Sequence, residues 1–219
     1  NPDTKVVVTL SSSGKLVSQI ENGAPFDIFM SADMKFPQAL FDKKLTTTAP
    51  VIYAQGALAM LCSKELVYSK GINILNDISI SKIAVANPKT APYGAAAIEA
   101  IKNAKIGNGV ESKFVFAESI SQAVTYAITA ADVGFIAKSS LYEANMTKYK
   151  ENKNWITVDP KIYTSIDQGI VIIDHSNSLV GLIKDNNKKE EVKAFYDFIL
   201  NKEAKKIFEN YGYLVKWVN

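Results

Sequence analysis

Short apolar runs alternate with amphipathic stretches along most of the chain. The apolar runs that have the length of buried strands lie at 5–10, 26–30, 83–86, 113–117, 133–136, 154–158 and 170–174. Apolar residues recur with helical spacing at 13–21, 33–43, 94–105, 120–129, 139–145, 188–200 and 202–210, and a further short helix is predicted at 73–78. Strands that alternate with helices predict an α/β fold built on parallel-type sheets with helices beside them.

One stretch combines a strand end with the start of a helix. The predicted strand at 5–10 leads into three serines, Ser11 to Ser13, and the next helix begins at Ser13. The first N–H groups of a helix have no partner inside it and carry the positive end of the helix dipole, so they can hold an anion. Serine is also an ordinary N-cap, and this stretch taken alone favours a plain cap.

The same arrangement occurs twice more. A strand is followed by Ala91-Pro92-Tyr93-Gly94 and a helix, and another by Glu118-Ser119-Ile120 and a helix. Ligands of open α/β sheets lie beyond the carboxyl ends of the strands, so two facing lobes would bring several helix N-termini to one cleft. Gly14 stands alone, outside any Walker or Rossmann pattern, so nucleotide binding has no support.

Composition narrows the classes of function. With 219 residues the chain can form one large domain or two lobes. A net charge of +3 with interspersed acids and bases does not favour nucleic acid as a partner. Cys62 is the single cysteine and His175 the single histidine, so neither a His-based triad nor a multi-histidine metal site is expected. No run is long enough to span a membrane, and no signal peptide is visible.

Two sequence blocks resemble a known family. The stretch Gly23-Ala24-Pro25-Phe26-Asp27-Ile28-Phe29-Met30-Ser31-Ala32-Asp33, with the serine-rich loop before it, is similar to the signature of bacterial periplasmic molybdate-binding proteins. The two helices near the C-terminus also resemble those of that family. The likeness spans nearly all of the chain, although the closing helices recur in related binding proteins.

The resemblance implies a two-lobe type II periplasmic binding protein fold, with the ligand cleft between the lobes. Lobe 1 would contain 1–52 and 170–219, and lobe 2 would contain 53–169. Molybdate, and also tungstate, would be held by neutral hydrogen bonds and delivered to the membrane permease of an ABC transporter. The implied protein is a periplasmic monomer without catalytic residues, cofactor, direct metal ligands or nucleic-acid partner.

The resemblance also implies ligand-binding residues. Ser13 would donate its hydroxyl and N–H to the oxyanion, Tyr93 and Ile120 would donate their backbone N–H groups, and Ser12 is a further candidate beside them. A tyrosine that contacts the ligand in some members corresponds to Ala137 here. The family also has an earlier strand and a small-residue turn, so an N-terminal truncation is expected.

Alternative functions remain at this point. A binding protein of the same fold could take sulfate, an organic phosphate or a carboxylate, for which Lys15 and Lys89 are the cations nearest to the predicted site. An enzyme would need an acid–base pair or nucleophile, and a regulator a DNA-binding segment, and neither is visible. Ser31-Ala32-Asp33 is interpreted as a helix cap rather than as a ligand contact.

Overall fold

Six α-helices and eight strands form the described part of the chain in the computed structural model, which covers residues 4–65, 68–107, 109–176 and 186–215. The helices are α1 (Ser13–Glu21), α2 (Lys35–Asp42), α3 (Pro92–Asn103), α4 (Ile120–Thr129), α5 (Asn186–Leu200) and α6 (Lys202–Asn210). The strands are β1 (Ile28–Met30), β2 (Val51–Gly56), β3 (Leu58–Leu61), β4 (Ile83–Ala86), β5 (Phe114–Ala117), β6 (Val133–Ala137), β7 (Trp155–Thr157) and β8 (Ile166–Ile172).

The contacts divide the chain into two compact units. The first unit comprises Asn1–Gln55, Asp167–Asn210 and Val215–Asn219, and the second comprises Gly56–Ile166 and Tyr211–Leu214. These bounds differ from the predicted lobe ranges by three residues at each of the two crossings, and they assign 211–214 to the second unit. The two lobes as such stay a prediction.

The first unit is built on a three-stranded sheet with the order β1-β8-β2. Strand β1 is antiparallel to β8, with Ile28 opposite Ile172. Apolar residues of α1, α2 and this sheet form its core: Leu16, Val17, Ile20, Phe29, Leu40, Val171 and Ile173. The apolar face of α1 is thereby buried.

The second unit has a five-stranded sheet with the order β5-β4-β6-β3-β7. Strand β4 is parallel to β5 and β6, whereas β3 is antiparallel to β6 and β7. Helix α4 packs closely on this sheet, because a Cβ on Gly134 would lie 2.4 Å from the Cβ of Ala127. The predicted parallel sheet is therefore found in β5-β4-β6, while the sheet as a whole is mixed.

The predicted strand at 5–10 is wrong. Residues 4–12 have no regular secondary structure, and Val7 and Leu10 are 78% and 82% exposed. A β-branched apolar run favours extended backbone, but a strand is defined by hydrogen bonds to a neighbouring strand. No strand of the described residues pairs with this segment.

Two predicted α-helices take a tighter form. The segment expected to be a helix at 139–145 consists of two 3-10 turns, Lys138–Tyr142 and Ala144–Met146. The short helix expected at 73–78 lies at the end of the 3-10 segment Tyr68–Asn76, in which Gly71 breaks the helical backbone with a φ of 53°. Short 3-10 turns are common connectors between longer elements.

Candidate functional site

Ser12 precedes α1 but does not cap it. Its backbone is extended and its side chain makes no capping hydrogen bond, although serine at this position ordinarily accepts one from the helix. The residue is 4% exposed, and its Oγ has no hydrogen-bond partner among the described residues. The interpretation as a plain cap is therefore wrong, and the start of α1 carries a buried hydroxyl that has no partner among the described residues.

Ser13 is the first residue of α1, and its side chain is fixed by a distant segment. Its Oγ accepts a hydrogen bond of 3.2 Å from the backbone N–H of Ala32. The hydroxyl keeps its own proton for donation, and the N–H groups of Ser13 and Gly14 have no acceptor inside the helix. No acidic residue lies in the first turn of α1. This helix start therefore offers hydrogen-bond donors and no carboxylate, together with the positive end of a helix dipole.

The turn that contacts Ser13 also begins α2. Ser31 is 1% exposed, and its hydroxyl donates to Oδ1 of Asp33 at 3.1 Å. The same carboxylate oxygen accepts the N–H of Phe36 at 3.1 Å, so Asp33 bonds to the first turn of α2. The N-cap position itself is taken by Met34, whose side chain makes no cap, so the predicted cap at 31–33 lies before the helix rather than at its start. Burial raises the pKa of Asp33, while the hydrogen bonds from Phe36 and Ser31 act in the opposite direction.

In the second unit, Tyr93 is placed by the close packing of α3 on β4. Pro92 opens the helix and Tyr93, which is 3% exposed, follows it. A Cβ on Gly94 would lie 2.0 Å from the carbonyl oxygen of Ala86, so only glycine allows this approach. The N-terminal turn of α3 thus lies directly against the end of β4.

Ile120 begins α4 at the end of the neighbouring strand. Ser119 caps this helix by accepting the N–H of Gln122 at 3.2 Å, and the Ile120 N–H has no acceptor inside the helix. Small residues bring the two helix starts of this unit together in one buried cluster of Ala86, Ala91, Ala117 and Ala123. Because β4 and β5 are parallel, both starts lie at the carboxyl ends of adjacent strands.

Charged and metal-ligating side chains were the next candidates near these turns. Lys15 and Lys89, the cations considered from the sequence, both have exposed side chains. Within 4–65, 68–107, 109–176 and 186–215, no three His, Cys, Asp or Glu side chains are grouped as metal ligands would be. The same ranges contain no helix with the length and hydropathy of a membrane span.

Three other residues, Asp27, Cys62 and Ala137, are accounted for by ion pairs or by burial. Asp27 lies 2.8 Å from the Lys188 ammonium and 3.5 Å from Nε2 of His175. Cys62 is 3% exposed, and burial raises the pKa of its thiol, as expected of a small hydrophobic residue. Ala137, which the resemblance matches to a tyrosine of some family members, is buried at the end of β6.

The four predicted binding residues thus fall into two groups. Ser12 and Ser13 lie together in the first unit, and Tyr93 and Ile120 lie at neighbouring helix starts in the second. Their roles as ligands stay a prediction. The hydrogen bond between Ala32 and Ser13 was missed by the sequence analysis, because the two residues are 19 positions apart and no local pattern pairs them.

Comparison with known proteins identifies the class. The family described as bacterial extracellular solute-binding protein matches residues 1–214. The molybdate-binding protein ModA of Azotobacter vinelandii is 32% identical over 212 residues, which are 95% of this chain and 79% of that protein. ModA of Rhodobacter capsulatus is 33% identical over 214 residues, covering 96% of this chain and 78% of that protein.

A solved structure gives the same result. The periplasmic molybdate-binding protein of Azotobacter vinelandii matches with a TM-score of 0.84 and 28% identity, over 98% of this chain and 89% of that one. The chain therefore belongs to the bacterial extracellular solute-binding proteins, in the family that includes the molybdate-binding proteins. This confirms the predicted fold class, and it makes the chain a binding protein rather than an enzyme.

Proposed function

We propose that this chain binds molybdate, and also tungstate, in the periplasm and delivers it to the permease of an ABC transporter. The observation that carries the proposal is the buried Ser12 Oγ, which has no hydrogen-bond partner among the described residues. Such a group costs about 1–3 kcal/mol, and a bound oxyanion would remove that cost. The similarity to molybdate-binding proteins from two bacteria supports the choice of ligand.

The proposed binding set consists of neutral donors from both units. Ser12 and Ser13 contribute hydroxyl groups, with the N–H of Ser13 beside them. Tyr93 and Ile120 contribute backbone N–H groups from the starts of α3 and α4. That these four residues act as ligands is part of the proposal, and it rests on the resemblance to the molybdate-binding proteins.

The donor set suits a fully ionised oxyanion. Molybdate carries no proton at neutral pH, so its four oxygens only accept hydrogen bonds and an all-donor site satisfies them. Phosphate keeps a proton near neutral pH and needs an acceptor for it, which such a site does not supply. Leaving that proton unpaired costs about 1–3 kcal/mol, or about 5- to 150-fold in affinity. Sulfate fits the same donors and must be distinguished by the size of the site.

The class of protein supports delivery to a permease as part of the proposal. The family is described as extracellular, so its members hold their solute outside the membrane. A site of neutral dipoles binds a dianion without a cation that would have to leave together with it. We further propose that the chain acts as a monomer and binds one ion, with no cofactor and no nucleic-acid partner.

Isothermal titration calorimetry with molybdate, tungstate, sulfate and phosphate tests the proposal. It should be done with the 219-residue chain and, where the gene encodes a longer product, with that product as well. We expect molybdate and tungstate to bind with similar affinity, and phosphate at least about fivefold more weakly.

Two results would contradict the proposal. Binding of phosphate as tight as that of molybdate would show that the site contains an acceptor and that the all-donor description is wrong. Heat from sulfate or an organic phosphate, with none from molybdate, would support the alternative ligand class on the same fold. Size-exclusion chromatography with light scattering tests the monomer.

A further inference from the structure

Residues 31–33 form a turn that contacts the side chain of Ser13, and this 31–33 turn is not part of the proposed set of ligands. The Ala32 N–H donates to Ser13 Oγ at 3.2 Å across 19 positions of sequence. This bond occupies one lone pair of the oxygen and limits the directions in which its proton can point. Within the described ranges, Ser13 Oγ donates to no protein acceptor, so the proton remains available for an oxyanion.

The 31–33 turn is itself held in place by several bonds. The Asp33 N–H donates to Ser31 Oγ at 3.3 Å, while the Ser31 hydroxyl donates to Asp33 Oδ1 at 3.1 Å. The Ser31 N–H donates to the Gly169 carbonyl of β8 at 2.8 Å. A Cβ on Gly169 would lie 2.7 Å from Met34 Sδ and 3.2 Å from the Asp33 carbonyl oxygen, so the strand lies closely against the turn.

Asp33 links the turn to α2. Its Oδ1 accepts both the Ser31 hydroxyl and the Phe36 N–H, so one carboxylate oxygen fixes the turn and the first turn of the helix together. Capping the helix needs only the hydrogen bond from the Phe36 N–H. The hydrogen bond from Ser31 closes the turn around Ala32, and the Ala32 N–H in turn donates to the Ser13 hydroxyl oxygen.

We propose that Ser31 and Asp33 are positioning residues that hold the Ala32 N–H against Ser13 Oγ and thereby orient the Ser13 hydroxyl toward the oxyanion. This inference rests on the proposed function and adds the residues that set the geometry of the donor. Neither side chain contacts the ligand in this proposal. Their effect on affinity passes through Ser13 alone, whereas a general effect on folding would not depend on Ser13.

A double-mutant cycle measured by calorimetry with molybdate tests this dependence. In the full chain, Asp33→Ala should weaken binding by about three- to tenfold, because misplacing one donor loses part of a hydrogen bond. In a Ser13→Ala background the same change should have less than about a twofold effect. In a Ser12→Ala background it should keep its full effect, since no bond joins the 31–33 turn to Ser12 in the described structure.

Three further variants separate positioning from folding. Asp33→Asn keeps an oxygen that can accept both bonds and should restore most of the affinity lost in Asp33→Ala. Ser31→Ala is a smaller change that should show the same dependence on Ser13 if Asp33→Ala does not fold. Asp132→Ala is the matched control, because the Asp132 carboxylate also holds a turn by accepting hydrogen bonds, three of them from Ser81 and Lys82. Its removal should lower stability without any bond to Ser13 being changed.

The outcomes distinguish the two proposals. If the unmodified chain does not bind molybdate, the proposed function is wrong and the positioning role is lost with it. If the unmodified chain binds but Asp33→Ala weakens binding equally in all three backgrounds, the function stands and the positioning role is overturned. Loss of affinity in Asp132→Ala as large as in Asp33→Ala would overturn it as well.

Discussion

The Tyr53 hydroxyl donates a hydrogen bond of 2.7 Å to the side-chain oxygen of Gln168 and joins β2 to β8. Both residues are buried, at 8% and 4% exposure. A second pair, from Gln55 to Asp167 at 2.8 Å, lies next to it along the same two strands. The chain leaves the first unit after Gln55 and returns to it at Asp167, so polar cross-strand pairs stabilise the sheet where the chain crosses between the units.

Tyr53→Phe should lower the free energy of unfolding by about 1–3 kcal/mol. The change removes the Tyr53 hydroxyl, so the buried side-chain oxygen of Gln168 loses this hydrogen bond. The ring of residue 53 and its contact with Phe208 are kept. Urea unfolding followed by circular dichroism measures the difference.

Tyr142→Phe is the matched control for this prediction. Tyr142 is 44% exposed, so water can replace its hydroxyl contacts and the change should stay within about 0.5 kcal/mol. Equal effects of the two substitutions would show that the buried pair contributes nothing specific to stability.

Helix positions could be predicted well from the sequence where local signals mark both ends. Helix α1 ends where Asn22 and Gly23 follow it, and Gly23 has a φ of 85°, the left-handed conformation that glycine allows at a helix end. Helix α4 begins directly after Ser119, which caps it. Both helices have the predicted bounds because capping involves residues only a few positions apart.

Strand pairing could not be predicted in the same way. The run at 5–10 has the composition of a strand but no partner, and β3 pairs antiparallel with β6 although the sequence between them alternates strands and helices. Composition reports the preference of one segment, while pairing depends on a second segment far away in sequence. For the same reason the serines of the candidate site were visible in the sequence, but the bond from Ala32 to Ser13 was not.

Gly94→Ala should destabilise the second unit by about 1–3 kcal/mol and weaken molybdate binding. The added Cβ would lie 2.0 Å from the Ala86 carbonyl oxygen, so the start of α3 must move away from β4 and take the Tyr93 N–H with it. Thermal unfolding and calorimetry measure the two effects. Ala95→Ser changes the next, exposed residue of the helix and should affect neither; normal affinity in Gly94→Ala would argue against Tyr93 as a ligand.

Ser12→Ala should change stability and affinity in opposite directions. Without ligand, the variant loses a buried hydroxyl that has no described partner, so the free energy of unfolding should stay the same or rise. With ligand, one donor is missing, and molybdate should bind about 5- to 150-fold more weakly. Urea unfolding of the ligand-free protein and calorimetry measure the two quantities.

Thr46→Val is the contrasting variant for Ser12→Ala. Thr46 is also buried, but its hydroxyl donates to the carbonyl oxygen of Thr48 at 2.9 Å, so its removal should lower stability and leave affinity unchanged. If Ser12→Ala loses stability as Thr46→Val does, the Ser12 hydroxyl has a structural partner and is not reserved for a ligand.

Asp33→Asn should be at least as stable as the unmodified chain at neutral pH. Burial raises the pKa of Asp33 above its ordinary value of 3.8, so the ionised carboxylate is less favourable in the folded state than in the unfolded state. The stability that the protonated Asp33 side chain contributes is fully present below pH 3.8 and is lost as the pH rises through the raised pKa. Asparagine carries no charge and can accept the same bonds, so its advantage should shrink as the pH falls.

Asp132→Asn should show the opposite sign in the same thermal unfolding series. Burial raises the pKa of Asp132, but the hydrogen bonds from Ser81 and Lys82 outweigh it and leave the pKa below the ordinary 3.8. Its carboxylate therefore stabilises the fold above pH 3.8, and that contribution is lost as the pH falls through the lowered pKa. Asp132→Asn should be less stable than the unmodified chain at neutral pH, with the difference closing in acid. An Asp33→Asn profile that follows this course would mean that hydrogen bonding, not burial, dominates at Asp33.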